Sequence, residues 1–231
     1  MNIPIPEISA ETTPQEILQI GVDVADGPVS LACSFSLEDV VIIDVAYQAG
    51  VKLGVFALDT GRLNEETYEV AEVLVERYRL KIDWYFPLHE EVEQLERLKG
   101  LFSFRESLEN RHECCQIRKV EPLSRALNGL DGWVTGMRRQ QGMTRGDLKA
   151  IERDELNGGL LKINPLLEWS EEQVLTYSKE QNLPANRLFR EGYRSIGCAP
   201  CTRAVQPGED ARAGRWWWEN PEHKECGLHR R

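Results

Sequence analysis

The chain has 231 residues, of which 41% are hydrophobic and 29% charged, with 18 Gly and 11 Pro. That supports one sizeable buried core and excludes a disulfide-stapled miniprotein, a disordered chain and a collagenous one. The formal charge of -10 argues against a general nucleic-acid binder, which needs a basic surface to neutralise phosphates. Segment 111–153 nevertheless carries nine Lys and Arg against five Asp and Glu, and segment 186–231 nine against six. Two basic islands in an acidic chain suit a local pocket for a small anion, with uneven surface charge as the plain alternative. The longest aliphatic run, Val40 to Ile43, is far short of the roughly 20 residues that cross a bilayer. Met1 to Thr13 is acidic and proline-punctuated, without the basic start and apolar centre of a secretory signal. The expectation is a cytoplasmic protein with neither membrane nor nucleic acid as a partner.

Val29 to Cys33 reads as a short buried strand, Ser34-Phe35-Ser36 as a loop and Glu38 to Ala49 as a helix. Val51 to Leu58 is a second strand ending at Asp59-Thr60-Gly61. Asn64 to Tyr78 is a charged amphipathic helix with Val70, Leu74 and Tyr78 on one side, and a third strand follows at Lys81 to Phe86. Further on come a helix around Gln116 to Leu127, a strand at Gly132 to Thr135, a polar loop over 136–149 and a short strand near Leu160 to Ile163. Ser170, with Gln173 three residues on, starts another helix as a capping box. Strands alternating with helices of ten or more residues specify an α/β fold, an open and mostly parallel sheet with flanking helices. No periodicity survives beyond Asn182. Residues 1–185 therefore read as an α/β domain and 186–231 as an irregular C-terminal extension packed on it.

The loops after the first, second and fourth strands sit on the rim where open α/β sheets bind ligands. In the first, Ser34 and Ser36 offer hydroxyls next to a helix N-terminus, suited to phosphate or sulfate and equally to plain capping. The glycine spacing of a classical phosphate loop is absent. The second loop, Leu58-Asp59-Thr60-Gly61-Arg62, fits a site or a structural turn. The third places Arg138, Arg139 and Arg145 close behind a strand end, and guanidinium forks match phosphate and sulfonate oxygens.

Six cysteines without an export signal point to metal binding or catalysis before disulfides. Cys198-Ala199-Pro200-Cys201 has the spacing at which a turn converges two thiolates. Cys114 and Cys115 are adjacent, so on a helix they point about 100° apart and do not readily serve one tetrahedral zinc. They can serve two separate irons of a cuboidal cluster, so the four together favour a 4Fe-4S centre over zinc; a pair buried by chance is the alternative. Arg111, Arg118 and Lys119 would offset the negative charge of such a centre, and Lys119 returns to the side of Cys115 after one turn. Cys33 lies on a strand and reads as core. Cys226 lies among His223, Lys224, His229, Arg230 and Arg231, cations that favour a nucleophilic thiolate, while Glu225 opposes them. On residues alone, an incidental cysteine and an attacking group both stay open.

Taken together, Cys-Ser-Phe-Ser-Leu-Glu-Asp at 33–39, Leu-Asp-Thr-Gly-Arg at 58–62 and Cys-Cys-Gln-Ile-Arg-Lys-Val-Glu-Pro-Leu at 114–123 resemble the assimilatory adenylyl-sulfate reductases of the phosphoadenosine phosphosulfate reductase family. Cys-Ala-Pro-Cys-Thr at 198–202, Gly-Arg-Trp-Trp-Trp-Glu at 214–219 and Glu-Cys-Gly-Leu-His at 225–229 extend the resemblance to nearly the whole chain from residue 28. It implies an adenine nucleotide alpha hydrolase-like, or ATP pyrophosphatase-like, sheet. It implies an enzyme that reduces adenosine 5′-phosphosulfate to sulfite and AMP with electrons from thioredoxin, a separate protein. Cys226 would attack the sulfonyl sulfur and leave an S-sulfocysteine. Ser34, Ser36, Arg138, Arg139 and Arg145 would form the phosphosulfate pocket, with Leu58, Thr60, Gly61 and Arg62 near the nucleotide. Lys119 would link cluster and substrate, and Arg212, Arg215 and His229 would belong to the basic C-terminal region. Cys114, Cys115, Cys198 and Cys201 would ligate a 4Fe-4S cluster that carries no electrons. The resemblance leaves a homo-oligomer open, and a 3′-phosphorylated substrate or both nucleotides are alternatives. The first loop departs from the family, with Leu37 beside Ser36 where many relatives have Gly-Ala. Two rivals are an ATP-dependent sulfur or amide transferase, whose Ser-Gly-Gly-x-Asp-Ser loop is absent, and a non-catalytic metal-stapled module.

Overall fold

The computed structural model describes residues 4–141 and 147–220. Thr13 accepts from the Glu16 amide while the Glu16 carboxylate accepts from the Thr13 amide, and Pro14 takes the first helical position. This capping box opens α1 (Pro14–Ala25). The aliphatic runs then form β1 (Val29–Cys33) and β2 (Gly54–Leu58), separated by α2 (Leu37–Ala49). α2 is apolar on nearly every side, with Val40, Val41, Ile42 and Val45 inaccessible, as an enclosed helix must be. Next come α3 (Glu65–Tyr78), β3 (Ile82–Tyr85), α4 (His89–Lys99) and α5 (Leu108–Cys115). A π-helical turn, Gln116–Val120, joins α5 directly to α6 (Glu121–Leu127). The helix expected around 116–127 thus begins at Leu108 and holds Cys114 and Cys115 immediately before a widened turn. The chain ends its regular elements with β4 (Gly132–Val134), β5 (Ile151–Asp154), β6 (Leu160–Ile163) and α7 (Glu171–Glu180), the last opened by the Ser170–Gln173 capping box.

Among the described residues the strands form one six-stranded sheet in the order β3-β2-β1-β4-β6-β5. β1 pairs in parallel with β2 and β4, and β4 in parallel with β6, while β5 runs antiparallel to β6. This is the expected open, mostly parallel α/β sheet with flanking helices. From β1 the chain proceeds to β2 on one side and later to β4 on the other, and such a reversal of strand order leaves a crevice at the carboxyl ends of the two central strands.

The chain divides into two compact units, each discontinuous in sequence. The first takes the chain up to Ala57, Val70–Asp83 and Leu127–Asn186; the second takes Leu58–Glu69, Trp84–Ala126 and the chain from Arg187 on. Leu31, Val134, Leu161 and Ile163 are inaccessible at the centre of the first unit. Within it Asp44 of α2 accepts hydrogen bonds from the Tyr78 hydroxyl at 2.7 Å and the Tyr177 hydroxyl at 2.8 Å, tying α3 and α7 to α2. The second unit has a small core of Leu95, Phe104 and Cys114, against which Ile117, Cys201 and Trp218 pack. Among the described residues no helix is long and apolar enough to cross a membrane.

Candidate functional site

In the first unit, two loops line the crevice at the ends of β1 and β4. Leaving β1, the chain passes through Phe35 at φ 62, a left-handed conformation that costs a non-glycine residue about 1 kcal/mol or more. Ser36 then caps α2, its hydroxyl accepting from the Asp39 amide. Asp39 reaches back: its Oδ2 accepts from the Ser34 amide at 2.7 Å and the Ser34 hydroxyl at 2.8 Å. A Cβ on Gly136 would stand 2.6 Å from Asp39 Oδ1 and 2.9 Å from Glu38 Cβ, so only glycine lets the loop after β4 come this close to α2. Arg138 Nε and Gln141 Nε2 both donate to Glu38 Oε1, at 3.0 and 2.8 Å. Arg139 pairs with Glu168 in a partly exposed bridge. Asp39 is buried, and desolvation pushes its carboxyl pKa up to about 6 against the lowering effect of the Ser34 hydrogen bonds.

In the second unit, the chain turns sharply after Leu58. Asp59 Oδ1 accepts from the Gly61 amide at 2.7 Å and Oδ2 from the Tyr68 hydroxyl at 2.8 Å. Gly61 takes φ 69, with Arg118 Nη1 3.3 Å from where its Cβ would be. The Thr60 carbonyl accepts from Arg118 Nη1 at 2.8 Å, and Thr60 Oγ1 lies in hydrogen-bond contact with Cys198 Sγ at 3.3 Å. The Arg62 carbonyl accepts from the Ala199 amide at 2.8 Å. The loop after β2 is thereby stitched to the turn that presents Cys198 and Cys201.

Cys114, Cys115, Cys198 and Cys201 line one small cavity, part of it open to solvent. Arg62, Arg111, Arg118, Lys119 and Arg215 line it with them, as do Phe104 and Trp216. Two carboxylates pair with three of these cations. Glu96 Oε1 accepts from Arg62 Nη2 at 2.8 Å and Arg118 Nη2 at 2.5 Å, and Glu219 Oε1 accepts from Arg111 Nε at 2.7 Å. Arg111 and Arg215 both stack on the buried Trp216 ring, 4.5 and 4.6 Å from its centroid. Arg62 Nη1, Arg118 Nε and Arg215 Nε are buried with no hydrogen-bond partner among the described residues.

Burial and, after it, the sulfurs of Cys198, Cys115 and Cys114 push the Cys201 thiol up to about 12, against the lowering effect of Lys119. Burial raises the Cys114 thiol too, against the charges of Arg118 and Arg62. Cys114 and Cys201, two of the four thiols lining the cavity, thus stay protonated at neutral pH unaided. A polycationic metal core would ionise all of them, and the orphaned guanidinium N–H groups would then have anionic sulfur nearby. The donor set therefore fits a thiolate-ligated metal–sulfur group. Among the described residues, no three His, Cys, Asp or Glu side chains are arranged to hold a metal ion at one point.

The structure thus gathers Cys114, Cys115, Cys198, Cys201, Arg62, Lys119 and Arg215 around one cavity, with Thr60 bonded to its wall and Gly61 at the turn beside Arg118. Leu58 ends β2 and Arg212 is half-buried upstream of Arg215. Ser34 and Ser36 bond to Asp39, and Arg138 and Arg139 to Glu38 and Glu168, so these predicted anion ligands already have partners. Arg145, Cys226 and His229 lie outside the described residues. Cys33 is buried in β1, as expected of a core residue. Sequence reasoning missed Asp39, Glu96 and Glu219. The proximity of Asp39 to a loop serine was a readable signal; nothing in the sequence marks Glu96 among the other glutamates of α4.

The model of the phosphoadenosine phosphosulfate reductase domain matches residues 28–204. A Burkholderia cepacia protein named adenosine 5′-phosphosulfate reductase is 45% identical over 224 residues, covering 97% of this chain and 89% of the relative. An Allochromatium vinosum protein of the same name is 49% identical over 200 residues, covering 87% and 78%. The crystal structure of phosphoadenylyl-sulfate reductase from Candida auris, a phosphate complex, superposes with a TM-score of 0.72 at 27% identity, covering 87% of this chain and 100% of that one.

Proposed function

The chain belongs to the phosphoadenosine phosphosulfate reductase family, and we propose on that premise that it reduces adenosine 5′-phosphosulfate to sulfite and AMP in assimilatory sulfate reduction. The observation that carries this reading is the 45–49% identity, over most of the chain, to relatives named for that activity. The Cys226 thiolate attacks the sulfonyl sulfur; the sulfur–oxygen bond breaks and AMP leaves with its electron pair. A thioredoxin thiolate then attacks Cys226 Sγ, sulfite departs with the sulfur–sulfur pair, and the second thioredoxin thiol closes the disulfide. The net reaction consumes one dithiol per sulfite.

The chain's own residues hold the anion. Ser34 and Ser36 stand at the N-terminus of α2, where backbone N–H groups and the helix dipole favour a sulfate or phosphate oxygen. Arg138, Arg139 and Arg145 are the guanidiniums for the phosphosulfate. Arg139 pairs with Glu168 in a partly exposed bridge, the kind of ion pair that contributes little and can give way to a phosphosulfate. Holding phosphate charge makes AMP a better leaving group. Leu58, Thr60, Gly61 and Arg62 flank the nucleotide, and Arg212 and His229 add positive charge from the C-terminal segment.

Cys114, Cys115, Cys198 and Cys201 hold a 4Fe-4S cluster in this reading. Their shared cavity and the orphaned guanidinium nitrogens around it support this assignment. When bound, the cluster supplies a fixed anionic charge and a cross-link between two distant stretches of chain.

The test uses protein purified without oxygen. Sulfite should form from adenosine 5′-phosphosulfate and reduced thioredoxin. Without thioredoxin, mass spectrometry should find a sulfonate on Cys226, and Cys226→Ser should show neither adduct nor turnover. An adduct on another residue refutes the role of Cys226. Faster turnover of the 3′-phosphorylated nucleotide refutes the substrate assignment.

A further inference from the structure

We infer that Glu96 of α4 is a positioning residue for the cysteine cavity: its single carboxylate oxygen pins the Arg62 and Arg118 guanidiniums side by side against the thiolates. This deepens the cofactor reading above and rests on it. Three observations carry it. Glu96 Oε1 accepts from Arg62 Nη2 at 2.8 Å and from Arg118 Nη2 at 2.5 Å, so one atom fixes two cations that arrive from different stretches of chain. Both arginines line the cavity with the four cysteines. Each also keeps one buried nitrogen, Arg62 Nη1 and Arg118 Nε, that no other group satisfies among the described residues.

The remaining bonds of the two arginines point to the same role. Arg62 Nη2 donates to the Leu101 carbonyl, and Arg118 Nη1 to the Thr60 carbonyl. These neutral acceptors fix part of each guanidinium but offset none of its charge. Two like charges held this close repel, and among the described residues the carboxylate bonded to both is Glu96. Without it the pair separates or turns toward water, and the orphaned N–H donors leave the sulfurs. The anionic cluster then loses two hydrogen-bonding cations, and its irons become easier to extract.

The experiment reconstitutes wild type, Glu96→Ala and Glu96→Gln with iron and sulfide without oxygen. It follows iron transfer to an excess of chelator, together with thermal unfolding of the iron-free proteins. Wild type should load about four irons per chain. Glu96→Ala should release iron at least tenfold faster, and the unfolding temperature of its iron-free form, lowered by the two lost ion pairs, reports separately what they contribute to the fold. Glu96→Gln keeps an acceptor oxygen without the charge, and should fall between, about threefold faster than wild type. Release from Glu96→Ala within twofold of wild type overturns the inference and leaves the cofactor assignment standing. A wild type that takes up no iron overturns the cofactor assignment, and this inference with it. If Glu96→Ala does not fold, Glu96→Gln decides alone, and release at the wild-type rate overturns the inference.

Discussion

Asp39 sets the chemistry of the first loop through one buried carboxyl. Its folded pKa of about 6 stands above the unfolded value of 3.8, so the native state binds a proton more tightly than the unfolded chain between those values. Stability therefore falls as pH rises from about 4 to 6, and the whole penalty is present above 6. Asp39→Asn should remove about 1 kcal/mol of the loss that wild type shows between pH 5 and pH 7.5. Urea unfolding of both proteins at the two pH values measures this, and parallel pH profiles would refute it. Asp39→Ala should instead lose about 1–3 kcal/mol at both values, because the Ser34 amide loses its acceptor. The serines and arginines around this residue were readable as candidate anion ligands from their types alone. Their engagement with Asp39, Glu38 and Glu168 was not, because a carboxylate's partner is chosen by the fold and leaves no periodic trace in sequence.

Helix packing in the first unit turns on a carboxylate too. Asp44 is inaccessible on α2, and the Tyr78 and Tyr177 hydroxyls satisfy one oxygen each. Burial, and then the bond to Asp44, raises both phenols far above their ordinary range, so they stay donors at every accessible pH. Tyr78→Phe keeps the ring and removes one donor. The expected cost is about 1–3 kcal/mol in urea unfolding, with fluorescence and circular dichroism giving one midpoint; a change under about 0.5 kcal/mol would show that water replaces the hydroxyl. Elements with a strong period were legible: β1, β2 and α3 fall within a few residues of their expected limits. β5 was not, since Ile-Glu-Arg-Asp lacks apolar alternation and becomes a strand only as an antiparallel edge on β6. α1 carried a signal that went unused, Thr13 followed by Pro14 and Glu16. The π turn after Cys115 has no sequence signature, yet it determines where Arg118 and Lys119 stand.

At the scale of the molecule, the two units differ in what holds them. The first rests on strands whose central residues are inaccessible, whereas the second has a small apolar core and a cysteine cavity lined by five cations, three of them paired with Glu96 and Glu219. On the cofactor proposed above, the cluster anchors Cys114 and Cys115 to Cys198 and Cys201, and its charge offsets those cations. Removing it leaves the cations to repel one another. Chelation of iron should therefore loosen the second unit first. Hydrogen exchange read by mass spectrometry should show protection falling about tenfold or more in Leu108–Val120 and in 196–216. Amides of β1, β4 and β6 should keep theirs. Equal loss of protection in both units would mean that the cluster stabilises the chain as one cooperative body. No loss in either would mean that packing around Phe104 and Trp216 suffices without it. The second result would remove the structural role assigned to the four cysteines and the first its confinement to the second unit, while both leave the attack by Cys226 to be decided by its own adduct.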